Sequence, residues 1–121
     1  MKFMMLVTGD KDYEAGKPPN PELMAAIDAL AQKDTKAGRL VDSGGLLPSS
    51  HAARVRVSGG KVTVKDGPFA EAKEVIGGYA ILEYGSMEEA VAGAREFMQI
   101  HARVLGPSYE GTCEVRPMAQ F

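Results

Sequence analysis

The 121 residues include no tryptophan, one cysteine and two histidines. A lone thiol, Cys113, cannot close an internal disulfide or supply a cysteine-based zinc site. The expected setting is therefore a reducing one, the cytoplasm. His51 and His101 fall in separate elements, and their spacing makes no metal site. Positive charge is not in excess: 14 Lys and Arg face 16 Asp and Glu, for a net charge of −2. That balance argues against nucleic acid as a partner, because phosphate backbones are held by a cationic surplus. No apolar run approaches the roughly 20 residues of a membrane span. The apolar start through Val7 is cut off by Asp10, Lys11, Asp12 and Glu14, too soon for a secretion signal. No nucleophile elbow, Walker loop or dinucleotide fingerprint occurs, and the reading requires neither cofactor nor metal. What remains, 45% hydrophobic and 25% charged, is the composition of one globular domain over residues 1–121.

Lys2 to Thr8 is apolar on both pleat faces, as in a central strand covered on two sides. A polar loop follows to Pro19. Asn20-Pro21 is a helix start, cap then first-turn proline, and Leu23, Ile27 and Leu30 supply the buried stripe. Lys33 and Lys36 suit the helix C-terminus, and Gly38 ends it. A second strand is expected over Arg39 to Leu46. Ala53–Ser58 and Lys61–Lys65 flank Gly59-Gly60 as a tight hairpin, pairing Val57 with Val62 and Val55 with Val64 on one face. On the other face Arg54 meets Lys65, a repulsive pair that must splay into water or find a neighbouring anion. Gly78–Tyr84 is another strand. Ser86 and Glu89 form a capping box for a helix carrying Val91, Ala94, Phe97, Met98, His101 and Leu105, ended by Gly106-Pro107. Thr112–Met118 is a last strand.

The order β, α, β, hairpin, β, α, β predicts an α+β ferredoxin-like sandwich with an inserted β-hairpin. Two helices cover one face of such a sheet. The opposite face needs a cover, and a second subunit, giving a homodimer, is the expected one.

Candidate chemistry sits in two places. Along the last strand Cys113 and Val115 alternate with Glu114 and Arg116, so the Glu and Arg share the open face. They can line a cleft or form a solvated or interface ion pair. The second place is Asp66-Gly67-Pro68-Phe69-Ala70-Glu71-Ala72-Lys73-Glu74. Gly67-Pro68 sets a turn, Phe69 can plug an apolar pocket, and the carboxylates lie among Arg54, Lys65 and Lys73. Paired carboxylates whose pKa values are pushed apart can serve as acid and base; a neutralised structural turn explains the same residues. His51, in the linker to the hairpin, is a surface histidine or a base turned into the cleft. His101 is expected at the core edge, bonded to a backbone carbonyl. Cys113 is expected to act as a small hydrophobe and the seven methionines as core filler.

The Asp66–Glu71 run, continued through Lys73-Glu74 to Gly77-Gly78, closely resembles the signature of the DGPF proteins, a branch of the YCII-related family. Gly45-Leu46 and Glu114-Val115-Arg116-Pro117 are similar to it as well. The resemblance implies the dimeric α/β-barrel version of the ferredoxin-like fold and, since some members are encoded near sigma factors, a regulatory context. Relatives with a His–Asp dyad carry the histidine soon after the first strand. Here Thr8, Gly9 and Asp10 stand there, so Asp42, which could match the aspartate, lacks its partner.

Two functions are consistent with these residues. One is a dimeric module with a pocket at the open sheet face, binding a small organic molecule or acting in regulation, through Arg116, Glu114 and Phe69. The other is a cofactor-independent isomerase, lyase or hydrolase, with Asp66, Glu71, Asp42 or His51 moving a proton and Arg116 holding an anionic oxygen.

Overall fold

The structure is a computed structural model that describes residues 1–70 and 74–120. Its elements are β1 (Lys2–Thr8), α1 (Lys11–Glu14), α2 (Pro21–Lys36), β2 (Leu40–Gly45), a 3₁₀ turn (Ser49–His51), β3 (Ala53–Ser58), β4 (Lys61–Asp66), β5 (Ile76–Glu83), α3 (Met87–Leu105) and β6 (Cys113–Pro117). Four strands form one antiparallel sheet in the order β2-β5-β1-β6, while among the described residues β3 and β4 pair only with each other. With the hairpin set aside this is the ferredoxin-like α+β order, the fold class expected from the element sequence.

The helix caps follow local chemistry. Asn20 accepts the Leu23 amide at 3.0 Å and Ser86 accepts that of Glu89 at 3.2 Å. The Glu89 carboxylate returns to the Gly85 amide at 3.0 Å, one residue before the cap. The segment expected as loop after β1 holds a single turn, α1. Asp10 caps it by accepting the Tyr13 amide at 2.8 Å. The Tyr13 hydroxyl donates to the carbonyls of Leu46 and Leu47 at 2.6 and 2.8 Å, a tertiary anchor that the linear pattern does not display.

Between helices and sheet lies the core: Phe3 and Met5 from β1, Leu82 from β5, Leu23 from α2, and Ala90, Ala94 and Ile100 from α3, all buried. Cys113 and Val115 pack against it. Phe3, 1% exposed, meets the Tyr84 ring edge-on at 6.2 Å. His101 is buried on α3 with Nδ1 2.9 Å from the Phe97 carbonyl, its ring between those of Phe97 and Tyr109.

Candidate functional site

Because Phe3, Met5, Leu82, Cys113 and Val115 face the helices, their alternates face the other way. Strand register arranges them in two rows. Asp42, Ile81, Met4 and Arg116 lie side by side across the sheet, and beside them Gly44, Tyr79, Leu6 and Glu114. The centre of this face is apolar, with Met4, Leu6 and Ile81 half-buried. Its edges are polar. The Tyr79 hydroxyl donates to Asp42 at 3.1 Å, and Arg116 pairs with Glu114 at 3.6 Å, both of these exposed. Tyr79 reaches Asp42 because its ring lies flat over Gly44, where a Cβ would come within 2.9 Å of the ring. The bond to Asp42, more than its negative charge, holds the Tyr79 phenol above its ordinary pKa of 10.0.

The sites read from sequence are divided within the chain. Asp42 and Arg116 share a face but stand three strand spacings apart, roughly 14 Å. Asp66, at the end of β4, pairs through its backbone with Ala53, and its side chain is exposed. His51 is exposed on the 3₁₀ turn, its amide donating to the Pro48 carbonyl at 3.0 Å. Glu71 lies outside the described residues.

Phe69 is not fully enclosed. Its ring is half-buried beneath the Arg54 guanidinium, 3.7 Å from the ring centroid, so the cation facing Lys65 is drawn onto an aromatic face. Ser49 is the buried centre of this loop, 1% exposed. Its hydroxyl donates to the Glu14 carboxylate and accepts the Phe69 amide at 3.1 Å, and its own amide donates to Glu14 at 2.8 Å. The Gly67 amide closes the base of the hairpin on the Ala52 carbonyl at 2.8 Å, and a Cβ on Gly67 would collide with the Ser49 carbonyl oxygen. Sequence reasoning passed over Glu14, Ser49 and Tyr79. Tyr79 was within reach, since it alternates with Ala80 on a strand already recognised; the Glu14–Ser49 contact carries no signal in spacing.

A separate open groove of about 400 Å³ runs between α3 and β6, lined by Met87, Val91, Ala94, Arg95, Met98, Cys113 and Val115. Among the described residues it contains none of the expected site residues. Burial pushes the Cys113 pKa up, which favours the unreactive thiol form. Among the described residues no helix is long and apolar enough to cross a membrane, and no three His, Cys, Asp or Glu side chains gather as a metal site would require.

An antiparallel β2-β5-β1-β6 sheet with two long helices on one face and an apolar, polar-edged surface on the other defines a small α+β domain of ferredoxin-like type. The model of the YCII-related domain matches residues 1–104, and the chain belongs to that family. It is also 35% identical to an uncharacterised protein of Rhizobium meliloti (strain 1021), in an alignment covering 100% of this chain and 94% of that protein.

Proposed function

We propose that the domain works in the cytoplasm as a homodimer paired through the open face of its sheet, and that it holds a small organic molecule between the paired faces. One observation carries this reading: Met4, Leu6, Ile81 and the Tyr79 ring form an apolar patch on the face away from the helices, with the Tyr79 hydroxyl, Asp42, Glu114 and Arg116 at its borders. Enclosed ligand sites have this composition, apolar walls with a few polar groups that fix orientation. The ligand class that fits is small and partly apolar, with an anionic or carbonyl oxygen for Arg116 and a polar group for the Asp42–Tyr79 edge. Binding without turnover suits a regulatory module. The catalytic alternative, a cofactor-independent enzyme, rests on Asp42, whose carboxylate accepts the Tyr79 hydroxyl on this face.

Sedimentation equilibrium at micromolar concentration is expected to give a dimer, and Ile81→Arg, folded by circular dichroism, a dimer at least tenfold weaker. A monomeric native protein overturns the reading. Thermal shifts against a panel of small aliphatic and aromatic carboxylates should include a stabilising ligand whose effect is lost in Arg116→Ala and Asp42→Asn. Conversion of that ligand to a product would decide for the enzyme.

A further inference from the structure

Every residue of β3 and β4 is exposed. Register puts Val55 opposite Val64 and Val57 opposite Val62 on one side of the ribbon, 65–71% exposed. Arg54, Arg56, Lys61 and Lys65 alternate onto the reverse side. A free two-stranded ribbon is marginal in water, and a contiguous apolar patch of this kind marks an interaction surface.

The arm is nevertheless held firmly at its root. Gly67 closes on Ala52, the Ser49 hydroxyl links Glu14 to the Phe69 amide, and Arg54 lies on the Phe69 ring. The Asp66-Gly67-Pro68-Phe69 turn thus acts as a bracket that sets the direction of an arm whose outer valines touch water. A fixed direction lowers the conformational cost of docking those valines.

We propose that the hairpin is a clasp whose valine face packs on the body of a second copy of this chain. Net charge favours the body of a second copy over its arm as the occupant. With Asp66 the hairpin carries a net +3, which leaves −5 on the rest of a chain whose total is −2. Arm and body therefore attract, whereas two arms repel each other. Area agrees: at about 100 Å² per valine, one arm offers roughly 400 Å², and an exchanged pair of arms gives each partner about 800 Å², its share of a standard stable interface. An uncharged valine face fits protein rather than a phosphate backbone. This surface is distinct from the open sheet face, and either could operate without the other.

The test combines Val55→Thr, Val57→Thr, Val62→Thr and Val64→Thr, which keep β-branching on exposed positions. The dimer dissociation constant, by sedimentation equilibrium, is expected to weaken at least tenfold with circular dichroism unchanged, and to weaken further on going from 50 to 500 mM salt in the native protein. A benzophenone attached at Val57→Cys in a Cys113→Ser background should cross-link to a body peptide of the second copy. A dissociation constant within twofold of native, or a photoproduct confined to one chain, overturns the clasp and leaves the valines to a different partner. Failure of the open-face reading looks different: Ile81→Arg then keeps the native dissociation constant.

Discussion

Ser49→Ala is the sharpest test of how the hairpin root is held. The native hydroxyl makes two bonds at a site 1% exposed, one donated to the Glu14 carboxylate and one accepted from the Phe69 amide. A hydrogen bond to a charged group contributes about 1.5–3 kcal/mol, and a buried amide left without an acceptor costs about 1–3 kcal/mol. The two overlap because Glu14 keeps its bond from the Ser49 amide at 2.8 Å, so a total of about 2–4 kcal/mol is expected. For a domain of this size that lowers Tm by roughly 8–16 °C. Urea unfolding, followed by far-UV circular dichroism, measures the loss directly, with Ser50→Ala as the exposed neighbour expected to stay within about 0.5 kcal/mol. Glu14→Gln should cost less, and the double variant less than the sum, because both act on one bond. A loss below about 0.5 kcal/mol for Ser49→Ala would refute the claim that this serine secures the loop.

Phe69→Ala is expected to cost about 1.5–2.5 kcal/mol by the same assay, below the range for a fully buried ring, since half the burial and one cation–π contact are lost; a loss of 4 kcal/mol would mean the ring is fully enclosed in solution. All four tyrosines are held above their ordinary pKa of 10.0, Tyr13, Tyr84 and Tyr109 chiefly by burial and Tyr79 by its bond to Asp42. Absorbance at 295 nm should therefore titrate later in the native than in the urea-unfolded protein. Above pH 10 the unfolded chain loses phenolic protons first, so their stabilising contribution, full below pH 10, falls as pH rises through the native values. Coincident titration curves would contradict this, and Tyr79→Phe should remove one late-titrating phenol.

Much of the fold was legible because its causes are local. The Asn20 and Ser86 caps, the apolar stripes of α2 and α3, and the two glycines between Val57 and Val62 act within a few residues, and each produced the element and the hairpin register expected of it. The alternation of Cys113 and Val115 with Glu114 and Arg116 likewise fixed which side of β6 would meet the helices. The site was only half legible. Proximity across strands depends on sheet order, and the β2-β5-β1-β6 order is what sets Asp42 beside Tyr79 and holds it apart from Arg116. Likewise, Glu14 and Ser49 meet only because the turn after β1 folds back over the hairpin root. The Asp66-Gly67-Pro68-Phe69 turn stood out in sequence as candidate chemistry, while the Gly67 bond to Ala52 and the Arg54 contact with the Phe69 ring carried no signal in spacing. Composition and periodicity record which residues bury or cap. Which distant side chains share a surface is decided by chain crossings, and those exist only in three dimensions.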